Sequence, residues 1–365
     1  MNPLEIFNLK YFTIYFVFAL IAFIFAMYVD VKKKHYNNIS KFATAVFFAI
    51  IIFLFGLRDL QVGSDTEMYK WMFLTYNNTD FGIQLIFKYL IIIMHFFTNN
   101  YQYFLLTVSM FYLLVIFWSI NVFLESFESN FLLIGFAFIS VFFFRQLGIN
   151  IVRQGVSLAF VLLAVSYYFK DSKNVKTWVL PFIVAIGFHS ATVVILLLFV
   201  FIVLVKKATL RFYYIWYITL LCISAMGGSI LSLGTFLNYF LVIDSGKADF
   251  YVKGEGAGDY VTGFKAQFAA FNTIFLIIFS LINYKILKNE DENYKMLLKY
   301  FMLISGVFFM MFQIPFSDRW GVMTWVTIPF LMAPLFSVKN TSRFAIPTVL
   351  FFIFIFVFFN IYNNS

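Results

Sequence analysis

The sequence predicts an all-α polytopic integral membrane protein, and three observations predict it. Of its 365 residues, 63% are hydrophobic and 12% charged, against about 25% charged in an average soluble domain. Its mean hydropathy is +0.90. The apolar residues gather into runs near the roughly 20 residues a helix needs to cross the hydrocarbon core. A soluble domain of this length has no interior that could hide so much apolar surface. The same figures exclude a disordered chain and a disulfide scaffold. The lone Cys222 sits in an apolar run and has no second cysteine to pair with. The 56 Phe and 22 Tyr fit a composition bias as readily as a function and carry no argument.

In chain order, the expected spans are Tyr11–Val29, Phe42–Leu57, Tyr103–Phe123, Phe131–Phe144, Val152–Phe169, Tyr214–Leu233, Ala266–Tyr284, Tyr300–Ile314, Gly321–Phe336 and Phe344–Ile361. The first lacks a cleavage signature and is long enough to stay in the membrane. Thr177–Val205 is too long for one crossing. Gly187-Phe188-His189-Ser190 interrupts it, so it reads as two short helices meeting near His189, with Ser190 suited to cap the second. Phe81–Phe97 is ambiguous: Gln84, Lys88 and His95 share one helical face, which suits an interfacial, re-entrant or inward-facing segment.

The net charge of +9 comes from lysines and arginines in short loops, which calls for a positive-inside bias rather than nucleic acid. Loop 30–41 carries Lys32, Lys33, Lys34 and Lys41 and is expected in the cytoplasm, as are loops 206–211 and 337–343. Loops 58–80 and 234–265 then face outward. If Phe81–Phe97 does not cross, Lys170, Lys173 and Lys176 lie inside, and Arg145 and Arg153 lie outside. That arrangement keeps the three lysines inside and predicts 12 spans in a single domain, residues 1–365, with both termini outside. No internal repeat suggests two transporter halves.

Charges at span ends need a reason, because one deep in the bilayer costs about 2.5–3.5 kcal/mol on insertion scales. Arg58, Asp59, Asp65, Glu67 and Tyr69 follow the second span around the turn glycine Gly63; a solvated loop with a snorkelling arginine competes with a site there. Arg145, Gln146, Arg153 and Gln154 form a second cluster. Arg153 sits in the first turn of a helix, where the backbone is already positive, so it suits either a bound anion or a carboxylate partner such as Asp59 or Asp65. His189 at a helix break suits a general base, a donor to a sugar hydroxyl or phosphate, or a buried neutral imidazole. Asp318, Arg319 and Trp320 lie between two short spans, where mutual neutralisation and an aromatic belt explain them equally well. The outer loop 242–265, with Gly254, Gly256 and Gly258, suits a lid or a plain linker. No zinc pattern, Walker A, dinucleotide fingerprint or GxSxG is present. No metal or cofactor is therefore expected, and any energy must arrive in the substrate.

Taken in order, Gly56-Leu57-Arg58, Val62-Gly63-Ser64-Asp65-Thr66 with Tyr69, Arg153-Gln154-Gly155-Val156-Ser157, Phe188-His189-Ser190-Ala191 and Arg319 resemble the motifs of the Wzy/EpsG-type polymerases of bacterial surface polysaccharides (O-antigen, capsule, exopolysaccharide). Ser64 stands where threonine is commoner, which keeps the hydroxyl. Residues 230–265 offer no match. The resemblance implies a GT-C-like helical fold with an outward-facing cavity in the bacterial cytoplasmic membrane. It also implies a glycosyltransferase that joins undecaprenyl-pyrophosphate-linked repeat units, donor to acceptor, outside the membrane, with membrane lipids and a chain-length regulator protein as further partners. It assigns Arg153, with Arg58 or Arg319, to the leaving pyrophosphate, and Asp65 or His189 to the proton of the attacking hydroxyl. Asp59 would orient Arg58. Tyr69 and Trp320 would stack on sugars or line the lipid entrance, and Arg145 and Gln154 would contact substrate. Two rivals are an O-antigen ligase, with the same chemistry on another acceptor, and a flippase or transporter for lipid-linked sugars, for which the sequence lacks repeats and acidic relays.

Overall fold

The computed structural model describes all residues except 29–33, 79–83, 206, 231–261 and 361–365. The expected glycine-rich lid and Lys32, Lys33 and Lys206 fall outside the described residues. Among those described, the chain is helical with no strand. It divides into two compact units: residues 1–189 with 332–365, and residues 190–331.

Among the described residues, six helices are long and apolar enough to cross a bilayer. In the first unit these are α1 (Pro3–Met27), α2 (Lys34–Gly56), α5 (Tyr101–Phe123), α8 (Val152–Lys170) and α16 (Val338–Asn360). In the second unit α12 (Ala266–Leu281), continued by a π-helical turn over Ile282–Ile286, is the sixth. Phe131–Phe144 does not form the straight span expected of it. It is α6 (Phe131–Ser140) and α7 (Phe143–Ile149), bent by 79° at the break. Counting that pair as one broken span gives seven crossings by length and composition, against the 12 expected.

The first unit also contains α3 (Thr66–Leu74), α4 (Leu85–Phe97) and α9 (Val175–Phe188). Helix α4 has 13 residues, about 20 Å of rise, too short alone for a ~30 Å hydrocarbon core. The unit is built on α5 and α8, with α2 against α5, α9 against α8, and α1 between α6 and α16. Phenylalanine and tyrosine fill the joints. Tyr15 stacks on Phe356, and Phe55 lies beside Phe7, Tyr11 and Phe144. Outward, Val17, Leu20 and Ile24 of α1 and Phe53 of α2 are exposed. An exposed apolar surface of this kind suits a lipid environment.

The second unit comprises α10 (Thr192–Leu204), α11 (Leu210–Ala225), α12, α13 (Glu292–Met310), α14 (Asp318–Trp325) and α15 (Ile328–Leu331). Helix α13 is its centre, packed on α11, α10, α12 and α14. The buried Asn272 of α12 donates to Ser305 Oγ at 3.0 Å and accepts from the Trp325 indole. The expected span Gly321–Phe336 is also broken. It divides into α14, α15 and a 3-10 turn over Ala333–Phe336, which belongs to the first unit. Pro329 and Pro334 remove two of the backbone donors a continuous helix would need. The expected pair of helices meeting near His189 is present as α9 and α10. Ser190 does not cap the second, however. Ala191 holds the cap position and Ser190 is buried, its carbonyl accepting from the Val193 N–H at 3.0 Å.

Candidate functional site

Hydrogen bonds give the first unit two chemically distinct ends. At one end, Lys41 near the start of α2 donates to Asn121 near the end of α5 at 2.7 Å. Glu125, just beyond α5, pairs with Lys170 at the end of α8 at 2.8 Å. Lys41 and Lys170 therefore share an end. At the other end, Arg58 beyond α2 donates to the Ile149 carbonyl at the end of α7 at 3.0 Å, and Arg153 lies in the first turn of α8, four residues beyond that helix. Ser157, one turn into α8, donates to the Ala185 carbonyl near the end of α9 at 2.8 Å, so His189 lies at this end too. Arg58 and Asp65, Arg145 and Arg153, and His189, from three separate stretches of chain, thus gather at one end of the unit, opposite the lysines.

Arg58 is a brace. Its side chain is 2% exposed. Its Nη1 donates to the Phe55 carbonyl at 2.6 Å, its Nη2 to the Ile149 carbonyl and its Nε to Thr66 Oγ1, both at 3.0 Å. Burial pulls the guanidinium down to about 10, with Tyr69 supporting its charge, so it stays protonated at neutral pH. Asp59 does not orient it. That carboxylate is exposed and turned onto the Gln61 N–H at 2.9 Å. Tyr69 is 2% exposed and meets the edge of Phe87, so it offers no face for a sugar.

The turn between α2 and α3 behaves as its glycine suggests. Gly63 has φ +89°, and a Cβ there would lie 2.5 Å from Asn150 Oδ1, so the loop sits directly on the α7–α8 connection. Ser64 donates to Asp65 Oδ1 at 2.9 Å. Asp65 is half-buried at the N-cap position of α3 without capping it through its side chain.

Arg153 is held by a residue that lies outside every sequence motif. Its Nη1 donates to Gln84 Oε1 at 2.6 Å, and its guanidinium lies 5.7 Å from the Phe87 ring centre. Neither Asp59 nor Asp65 serves as its partner. Gln84 is 2% exposed at the start of α4. The polar face it shares with Lys88 and His95 was its only trace in the sequence. The bond to Gln84 uses one of five guanidinium N–H donors, leaving a two-pronged edge. Gly187 touches Ile86, where a Cβ would come within 2.5 Å of its side chain. That contact seats the end of α9, and His189 with it, against the start of α4. Gln154 is 2% exposed and belongs to the packing of α8.

Arg145 faces a cavity of about 730 Å³ bounded by α1, the 61–64 turn, α7 and the end of α16. Its guanidinium lies 5.4 Å from the Phe7 ring and 5.8 Å from the Tyr11 ring. Among the described residues no carboxylate and no hydrogen-bond acceptor meets it.

Arg319 and Trp320 belong to the second unit, in the first turn of α14. The Arg319 guanidinium lies 4.5 Å from the Phe316 ring, and Phe316 takes a left-handed φ of 58°. Asp318 acts on Lys265 before α12, whose ammonium burial pulls down and the carboxylate supports. No group of three or more metal-ligating side chains occurs among the described residues.

A family model described as the EpsG family matches residues 41–365. No curated protein matches the chain, and no solved structure does.

Proposed function

The chain belongs to the EpsG family of Wzy-like exopolysaccharide polymerases, and from that premise we propose that it joins undecaprenyl-pyrophosphate-linked repeat units at the outer face of the bacterial cytoplasmic membrane. One observation carries the reading: the arginine, carboxylate and histidine motifs share one end of the first unit, and Lys41 and Lys170 share the other. By the positive-inside rule the lysine end is cytoplasmic, which turns the motif end outward.

In the reaction, a hydroxyl oxygen of the acceptor attacks the anomeric carbon of the donor glycan, and the bond from that carbon to the pyrophosphate oxygen breaks. Charge builds on the leaving group. Arg153, fixed by Gln84, presents a two-pronged cation that stabilises that charge where it develops. The attacking hydroxyl must lose its proton, and Asp65, half-buried beside a hydroxyl in the outer turn, takes it as general base. His189 donates to or accepts from a substrate hydroxyl. Arg58 positions rather than binds, because its donors already hold α2, α3 and α7 together.

The test is complementation of a strain lacking the protein, read as the ladder of surface glycan on a gel. Arg153→Lys keeps the charge but loses the fork, and is expected to leave single repeat units. Long polymer from Arg153→Lys at wild-type protein levels would overturn the leaving-group role.

A further inference from the structure

The cavity beside Arg145 carries a chemistry of its own. Its polar lining is dominated by amides: Asn8, Gln61, Gln146, Asn150 and Asn360, with the Ser64 hydroxyl. Among the described residues that line it, Arg145 is the one cation, and none is an aspartate or glutamate. The Oδ1 atoms of Asn8 and Asn150 are buried and accept no hydrogen bond from the described residues. An amide presents one donor group and one acceptor, and a sugar hydroxyl is both as well. Buried acceptor oxygens need a partner, and rotation of these two amides toward the cavity would let ligand hydroxyl hydrogens supply it. A phosphate, rich in acceptors, would meet those same oxygens with repulsion and find only one cation to offset its charge. An acyl chain would leave every amide unsatisfied.

Arg145 adds a requirement. Its guanidinium is half-buried and held against Phe7 and Tyr11, so it is partly stripped of water yet meets no anion among the described residues. A ligand carboxylate would complete it with paired hydrogen bonds. At about 730 Å³ the cavity is within the range of small-molecule sites, and the rings of Phe12 and Phe142 in its lining suit the apolar faces of pyranoses. We infer that this cavity is a saccharide subsite that selects a sugar unit bearing a carboxylate, so that the repeat unit this protein polymerises is acidic. The inference rests on the polymerase reading for the origin of the saccharide, while the recognition rests on the cavity alone.

The experiment is a saturation-transfer NMR titration of the full chain in lipid nanodiscs. The probes are two lipid-free disaccharides that differ only in a terminal glucuronic acid or glucose, with inorganic pyrophosphate as competitor. The acidic disaccharide is expected to bind roughly tenfold or more tightly than the neutral one, the usual worth of a charge-assisted pair. Arg145→Gln should erase that preference. Asn150→Asp keeps the side-chain shape and adds a negative charge, so it should weaken the acidic probe roughly tenfold and spare the neutral one, a result independent of how Arg145→Gln folds. Equal binding of the two disaccharides, or displacement of the acidic one by pyrophosphate at matching concentration, would overturn the inference. Acid-selective binding by a protein that never polymerises would overturn the polymerase reading and leave the subsite standing.

Discussion

Replacing Arg58 by methionine removes three hydrogen bonds at once, to Phe55, Ile149 and Thr66. Hydrogen bonds to a charged group contribute about 1.5–3 kcal/mol each. Part of that gross gain is already offset by keeping a guanidinium out of water, a penalty of several kcal/mol per buried ion. Methionine relieves that penalty. Thr66 keeps a partner as well, since its hydroxyl donates to the Val62 carbonyl at 2.6 Å. The uncompensated loss is centred on the Ile149 carbonyl, where an orphaned buried acceptor costs about 1–3 kcal/mol. A net loss of about 3 kcal/mol follows. Domains of 150–250 residues melt ~2–4 °C lower per kcal/mol, so the melting point should fall by about 6–12 °C. Fluorescence-detected size-exclusion after heating measures this in detergent. Arg58→Lys, which keeps charge but cannot span three acceptors, should fall between. A methionine variant that melts with wild type yet makes no polymer would refute the brace and return Arg58 to the substrate.

Other predictions follow from the same geometry. Gly155→Ala would place a Cβ 2.3 Å from the Leu147 carbonyl oxygen; overpacking of this kind costs about 1–3 kcal/mol, and reduced thermal stability in the same assay should reveal it. Gln84→Leu should shorten polymer without lowering expression, because it releases Arg153 while keeping side-chain volume; an unchanged ladder would show that Arg153 needs no support. A general base contributes roughly 10²–10⁴ in rate, so Asp65→Asn should stop at single repeat units while His189→Gln retains short polymer, and the opposite outcome in initial-rate assays would reverse the two roles. In a Cys222→Ser background, an impermeant maleimide applied to intact cells should label Ser64→Cys and spare Lys173→Cys; labelling only the second would invert the orientation.

The sequence carried the long helices well, because lipid demands apolar residues over a fixed length whatever the neighbours do. Helices α1, α2, α5, α8, α12 and α16 all fall on expected spans. It carried the breaks poorly. Phe131–Phe144 reads as one apolar run, but its bend lies among tertiary partners. Tyr15 of α1 bonds Ser140 at 3.1 Å, and Tyr112 of α5 donates to the Phe144 carbonyl at 3.2 Å. Such partners are distant in sequence and leave no periodic trace. The site shows the same division. The first unit's charged motifs fall at one end of it, but Arg58 pairs mostly with backbone carbonyls rather than the expected carboxylate, and no residue type announces such partners. Gln84, the partner of Arg153, was visible only as one polar residue on an apolar helix, and Asn8 on α1 carried no motif at all.

Reconstitution tests the central claim most directly. Purified protein in liposomes is supplied with undecaprenyl-pyrophosphate-linked repeat units and nothing else: no nucleotide, no metal beyond buffer, no second protein. The account predicts a ladder of lipid-linked glycans lengthening by whole repeat units, with one undecaprenyl pyrophosphate released per linkage and Arg153→Lys inert. Substrate that crosses the bilayer unchanged, or lipid-linked units that stay single while wild-type protein remains folded, would contradict it.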